Sequence, residues 1–319
     1  MPGPTHVFAG VATQDTIVLV DRYPGADERI VATELLHAGG GPAATAAVAA
    51  ARLGVPVAFV GSVGADPEAT AILEGLTAEG VDVSGVSRIP GTRSASSVVI
   101  VDSGQATRAI INRPPAPIQL DRRARELLGA ADWVHVDQAG WGAVSEWWRT
   151  APQRPSLSVD AGNPIADFTP DGVDLYVPTI SALRVRYGDG DSISNRSPEQ
   201  LLAAAIAEGA RTVVATDGGS GSFALGIDQG FVHVPGERGA LLSTLGAGDV
   251  FHGALLAAFH HGLDLRDCLR YANHVAFCSC QGLDGRSAIP THAEVGAALH
   301  LDLPTRRSPS NHPREDSSP

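Results

Sequence analysis

The sequence predicts an α/β protein: a mostly parallel sheet sandwiched by helices, with a small β lid. Three observations predict it. From Trp133 onward, short apolar runs rich in β-branched residues alternate with helix-length amphipathic stretches, the pattern of parallel strands and their covering helices. Two ribbons, Arg29–His37 and Ser96–Asn112, alternate but do not fit that wheel, so they read as a small appended sheet over one edge. The chain has 319 residues, 44% hydrophobic and 18% charged, enough to bury a large core and far from a disordered composition.

Taken in order, His6–Val11 reads as a buried strand, and Thr16–Val20 continues apolar. Pro24, Gly25 and Asp27 mark a turn before the half-covered strand Arg29–His37. The run Gly39-Gly40-Gly41 opens an alanine-rich helix, Pro42–Leu53, with Pro42 suited to its first turn and Gly54 to its end. Val57–Val60 is a buried strand and Ala69–Glu79 an amphipathic helix. Ser96–Asp102 and Arg108–Asn112 flank Ser103-Gly104-Gln105, which reads as a hairpin. Strands follow at Val134–Val136, Leu157–Val159, Leu175–Val177, Thr212–Thr216 and Phe223–Leu225. Helices interleave at Ala143–Arg149, Pro198–Glu208, Asp249–His261 and Leu265–Cys280. A Ser/Pro/Arg-rich tail, 305–319, reads as disordered, leaving one domain over 1–304 with lid strands at about 15–38 and 96–113.

Composition excludes several chemistries. Lys+Arg 23 against Asp+Glu 35 gives a net charge of −12, which repels phosphate backbones and argues against a nucleic-acid partner. All 23 basic residues are arginine. A chain without lysine forms no Schiff base and carries neither the P-loop nor the protein-kinase lysine. Phosphate handling would fall to backbone N–H groups, helix termini, arginine and metal. Cys268, Cys278 and Cys280 match no zinc spacing and read as reduced thiols. Met1–Thr5 lacks a signal-peptide pattern and no apolar run is long enough for a membrane span, which predicts a cytoplasmic protein without a membrane partner.

The most informative segment runs from Ser243 to Ala254 and contains Gly246-Ala247-Gly248-Asp249 ahead of an apolar helix. Two glycines let backbone N–H groups turn toward one point, and the helix N-terminus adds partial positive charge. This is an anion hole with a carboxylate, Asp249, at its mouth, placed to accept a proton from an alcohol attacking a phosphoryl group. A plain capped helix start and a dinucleotide-binding loop compete. The latter usually lies after the first strand, with its acidic residue about 20 positions further on.

Here the chain resembles the pfkB family of ribokinase-like carbohydrate kinases, whose C-terminal signature is DTxGAGD. The family's N-terminal signature matches Gly40-Gly41, Ala51-Arg52-Leu53-Gly54 and Gly61-Ser62-Val63-Gly64-Ala65-Asp66. The resemblance covers nearly the whole chain before the tail. It implies Asp249 as catalytic base and Gly246, Ala247 and Gly248 as anion hole, with ATP and Mg²⁺ as phosphoryl donor and its metal. It implies a sugar substrate held by Asp15, at the end of the first strand, and by Gly40 and Gly41, which also hinge the lid. Thr45 stands where the family has Asn. Thr216, Gly218 and Gly221 match the turn that lines ATP, and Asn273 a nucleotide-side position. Asp137, at a strand end, reads either as a sugar contact or as a turn residue. The family's N-x-x-E is Thr179-Ile180-Ser181-Ala182 and its first signature Asp is Ser243, so no protein metal site is expected.

Within the family, the glycine loop, Arg108–Asn112 and Gly248–Leu255 are similar to the kinases of 6-deoxy-6-sulfofructose. That resemblance implies transfer to the primary hydroxyl that gives the 1-phosphate, with Arg29 and Asn112 of the lid on the sulfonate. A kinase of fructose, a sugar phosphate, another ketose or a nucleoside remains open, as does a non-catalytic binding protein on the same scaffold. The family also implies a homodimer through the lid.

Overall fold

In a computed structural model, residues 3–104, 107–188 and 196–301 are described; Gln105 of the expected hairpin turn and the tail 305–319 lie outside them. The chain begins β1 (His6–Ala9), β2 (Thr13–Val20), β3 (Glu34–Gly40), α1 (Pro42–Arg52), β4 (Val57–Val63), α2 (Pro67–Ala78) and β5 (Asp82–Arg88). It continues with β6 (Ser96–Asp102), β7 (Thr107–Arg113), α3 (Arg122–Ala130), β8 (Trp133–Val136), α4 (Gln138–Thr150) and β9 (Ser156–Ala161). Then come β10 (Leu175–Pro178), α5 (Ile180–Tyr187), α6 (Pro198–Ala207), β11 (Thr212–Thr216), β12 (Ser222–Gly226) and β13 (Gln229–Val234). The last three helices are α7 (Ala247–His260), α8 (Leu265–Ser279) and α9 (His292–Leu299).

The described strands form two sheets. The larger has the order β13-β12-β11-β10-β9-β8-β1-β4-β5, parallel except at β12 and β13. Period-two alternation divides its side chains between two cores. Phe8, Val57 and Phe59 face α1, α2, α7 and α8, whereas Val7, Ala9, Ala58 and Val60 face α3 to α6. Alanine dominates α1 because α7 crosses it closely: a Cβ added to Gly253 would collide with the Ala46 carbonyl. The second sheet, β3-β2-β6-β7, is the small appended sheet expected of the lid, and Ile17, Leu19, Val99 and Val101 bury its inner face.

Three boundaries differ from the sequence reading. The run His6–Val20 is two strands, because the chain leaves the large sheet at Gly10–Ala12 and enters the lid; Asp15 therefore lies within a lid strand and not at the end of the first one. The ribbon expected at Arg29–His37 pairs only from Glu34, since the preceding segment turns through Asp27 with φ 56. Helix α4 starts at Gln138, well before Ala143. The elements β5, β13, α3, α5 and α9 had no counterpart in the sequence reading. Glycine or serine interrupts the β5 pattern, and α3 begins with a charged run around a short buried stripe of Ala124, Leu127 and Leu128.

Asp137 explains the first and third of these differences, and it corrects the expectation of a sugar contact. Its carboxylate is fully buried and accepts the N–H groups of Val11 (2.7 Å), Ala43 (3.3 Å), Ala139 (2.9 Å) and Gly140 (2.9 Å). A Cβ on Gly10 would occupy the space of that carboxylate. Burial raises the carboxyl to about 6 against the pull of these N–H groups. All the acceptor capacity is spent on backbone, so none faces a ligand. Asp137→Ala leaves these donors buried without partners. Hydrogen bonds to a charged group are worth about 1.5–3 kcal/mol each, so urea denaturation should show a loss of roughly 3 kcal/mol or more. Unchanged stability with a raised sugar KM would instead return Asp137 to the substrate.

Candidate active site

The floor of the cleft is the start of α7. Gly246 is its N-cap in the left-handed region, φ 71, and Ser243 steadies the approach by accepting the Leu245 N–H at 3.2 Å. The first N–H groups of a helix have no intrahelical acceptor, and the helix field is positive there. Gly248 and Asp249 supply them, and the Ala247 N–H reaches back to the Thr244 carbonyl at 3.4 Å. Open space surrounds the Cα of Gly248 on its side-chain face, so an anion can approach the backbone closely. Asp249 is the third helical residue, not the first. Burial raises its carboxyl to about 7, and the neighbouring Asp160 carboxylate pushes the same way.

One pocket faces this base from the lid side. Asp15, Gly40, Gly41, Thr45 and Gly246 line it together with Asp249. Gly41 has φ 90, and a Cβ there would collide with the Val11 carbonyl, so the tight passage from β3 into α1 demands glycine. Asp15 is 7% exposed; burial raises its carboxyl, and its Oδ1 has no hydrogen-bonding partner among the described residues. An unpartnered buried acceptor suits a ligand hydroxyl.

Arg286 ties this pocket together, and it had no role in the sequence reading. Its Nε donates to Thr45 Oγ1 at 3.2 Å and its Nη2 to the Gly40 carbonyl at 2.9 Å, from a buried position. Burial lowers the guanidinium to about 10, while Asp15 pulls it back up. The one sequence signal is an arginine inside the glycine-bearing loop Gly282–Gly285-Arg286, far from either motif.

The main cleft holds about 650 Å³ and runs from the lid to the large sheet. Asn112 and Arg108 reach it from β7, and Asp160, Asn163 and Thr179 from the sheet. His252, one turn after Asp249, sets its Nε2 3.2 Å from Asp160 Oδ1. Burial would raise Asp160, yet His252 and the Gly162 N–H hold it down at about 2. Thr179 caps α5 by accepting the Ala182 N–H at 3.0 Å. The hard oxygens of Asp160 and Asn163 fit a magnesium ion carried on phosphates and waters, and the described residues form no cage of three or more metal-binding side chains.

A second cavity, about 220 Å³, opens beyond the anion hole. Thr216, Gly218, Gly221 and Asn273 line it, with Phe251 and Phe277 as apolar walls. Gly221 has φ 92, and a Cβ there would strike the Val234 carbonyl. Asn273 also donates to the Val234 carbonyl at 3.2 Å, which anchors β13 to α8. The expected residues thus converge on one cleft with two ends. Asp137, buried among backbone amides, and Arg29 are the exceptions; for Arg29 the expectation is corrected, because it is exposed in the connection between β2 and β3, outside every pocket around the site.

Residues 7–292 match the model of the pfkB family carbohydrate kinases. The chain is 27% identical over 297 residues to the ribokinase of Bacillus subtilis, covering 91% of this chain and 97% of that one. It is 25% identical over 297 residues to the ketohexokinase of Mus musculus, covering 86% and 96%. Among solved structures, Arabidopsis thaliana ribokinase complexed with ribose and ATP superposes with a TM-score of 0.76 at 22% identity, covering 95% and 100%.

Two outcomes follow from the site's electrostatics. A base raised to about 7 is protonated as pH falls, so kcat should drop about tenfold per unit below pH 7. A pH–rate profile flat down to pH 5 would take the proton-transfer role away from Asp249. Arg286→Lys keeps the charge and loses the planar fork. A hydrogen bond to a charged group is worth about 1.5–3 kcal/mol, so sugar KM should rise about tenfold or more with KM for ATP unchanged. Steady-state kinetics on protein of native circular dichroism would check it, and an unmoved sugar KM would make Arg286 a purely structural residue.

Proposed function

This chain belongs to the pfkB family of carbohydrate kinases and is an ATP-dependent sugar kinase; from that premise we propose that it phosphorylates a primary hydroxyl of a sugar held between Asp15 and Asp249. The observation that carries the reading is the main cleft of about 650 Å³, which Asp15, with its unpartnered buried oxygen, and Asp249 both line beside the start of α7. Asp15, the Gly40–Gly41 backbone and Thr45 orient the sugar. Asp249 accepts the proton of the attacking hydroxyl. The oxygen then bonds to the γ-phosphorus as the bond to the bridging oxygen breaks, and ADP leaves with that electron pair. The N–H groups of Ala247 and Gly248 meet the charge on the transferred group. Thr216, Gly218, Gly221 and Asn273 line the nucleotide end. Magnesium, when bound, supplies charge neutralisation on the phosphates, with Asp160 and Asn163 the residues to hold its waters.

Within that reading, 6-deoxy-6-sulfofructose is the proposed substrate and the 1-phosphate its product. What supports it is Asn112, on the inner face of the lid and lining the cleft, where its carboxamide can donate to a sulfonate. Ribose is the rival, favoured by the ribokinases among the relatives. The outer face of the lid exposes Leu35, Val98 and Ile111, an apolar stripe that supports pairing of two lids in a homodimer. The described residues contain no helix long and apolar enough to cross a membrane. The proposal places the enzyme in the cytoplasm, with one catalytic domain through residue 304.

Turnover of ribose, deoxyribose, fructose, 6-deoxy-6-sulfofructose and adenosine with ATP and Mg²⁺ tests the reading directly. The sulfonated ketose should give the highest kcat/KM, and Asn112→Ala should raise its KM roughly tenfold without affecting fructose. Asp249→Asn should lower kcat by roughly 10²–10⁴ while nucleotide binding persists. Preference for ribose would overturn the sulfofructose assignment, and a fully active Asp249→Asn the mechanism.

A further inference from the structure

Arg108 stands on the inner face of β7, opposite Val101 of β6, and its side chain spans the cleft from lid to floor. Its Nη1 donates to Thr244 Oγ1 at 2.6 Å. Thr244 lies two residues before Gly246 and lines both the main cleft and the nucleotide cavity. Those two spaces also share Thr216, Ala247 and Gly248, so their junction is the passage a phosphoryl group crosses from nucleotide to sugar. The charge of Arg108 is felt on the nucleotide side too, where it lowers the Cys280 thiol against the rise that burial causes.

Other cations at the site are committed elsewhere. Arg113, which also lines the cleft, donates through Nε to the Ser94 carbonyl at 2.7 Å and pairs with Glu68. Arg286 holds Thr45 and the Gly40 carbonyl. The chain has no lysine to supply instead. A guanidinium carries five N–H donors in a planar fork that matches phosphate oxygens, and here one of them meets a neutral hydroxyl.

We propose that Arg108 is a catalytic residue of the phosphoryl transfer. Its fork leaves Thr244 for the oxygens of the γ-phosphoryl group when both substrates are present, and neutralises charge that the backbone anion hole meets from the other side. This rests on the kinase reading above. The arginine takes part in no bond making: it donates hydrogen bonds while the sugar oxygen attacks and ADP departs. A lid that carries this charge couples sugar enclosure to transfer, because the donor reaches the junction only while β7 lies over the cleft.

The test uses the full chain and whichever sugar the panel shows to be turned over. An arginine on a transferring phosphoryl group is worth about 10³–10⁵ in kcat in other phosphotransferases. With the α7 anion hole intact, Arg108→Ala should lower kcat by roughly 10² or more, with sugar KM moved less than about threefold, and Arg108→Lys should recover part of the loss. Binding gives a second readout. Affinity for ADP with magnesium and aluminium fluoride, in the presence of sugar, should fall about as much as kcat, while affinity for ADP alone holds. A raised sugar KM at unchanged kcat would put the arginine on the substrate's far end. Equal losses for ADP and for the fluoride complex would make it a lid clasp only. Either result overturns the inference, as does a fully active Arg108→Ala. A wild type that turns over no sugar sinks the kinase reading itself, and this role with it.

Discussion

Four backbone N–H groups from three parts of the chain converge on the buried carboxylate of Asp137, and the layout of the cleft follows from where they are held. The Val11 bond fixes the point at which the chain leaves the large sheet for the lid, and so places Asp15 over the cleft. The Ala43 bond fixes the first turn of α1, and with it the Gly40–Gly41 corner and Thr45. The bonds from Ala139 and Gly140 start α4 in register behind them. A charged acceptor in a dry site is costly unless every lone pair is used. That cost makes the junction rigid: no loosely held arrangement would keep the carboxylate satisfied.

The site works with a chain that has no lysine. Positive potential comes from the first turn of α7, from Arg286 beside Thr45 and from Arg108 on β7. Negative groups are graded by their surroundings. Asp160 is kept ionised by His252, whereas Asp249, more weakly compensated, titrates near neutrality. Two carboxylates in one cleft are thus pushed apart in acidity by their environments. Arg286 links the two halves of the design. It joins the Gly40 carbonyl at the end of β3 to Thr45 of α1, and its charge favours the ionised forms of Asp15 and Asp249.

Much of this was legible in the residues. Strand and helix alternation gave the parallel sheet, and the two ribbons outside it gave a second, separate sheet, because side-chain period reports local structure directly. Gly246–Asp249 and the Gly40–Gly41 corner stood out because close backbone approach and positive φ restrict those positions to few residue types. Asp15, Thr45, Asn112, Thr216, Gly218, Gly221 and Asn273 followed from matching motifs and line one continuous cleft. Arg29 failed because alternation alone does not say where pairing begins; the turn at Asp27 delays the strand to Glu34. Asp137 failed because a carboxylate at a strand end looks the same whether it meets a sugar or four amides.

By itself, the sequence determined the fold class, the carbohydrate-kinase family and the exclusion of lysine chemistry, since each depends on composition or on a few adjacent residues. Tertiary structure alone decided that Asp137 is a buried organiser, that Arg286 reaches Thr45 across 241 positions and that Arg108 bonds Thr244 across 136. The physical reason is sequence distance. Hydrogen bonds and desolvation act between groups that the chain brings together only by folding, and nothing in the local pattern around an arginine reveals which distant oxygen it will meet.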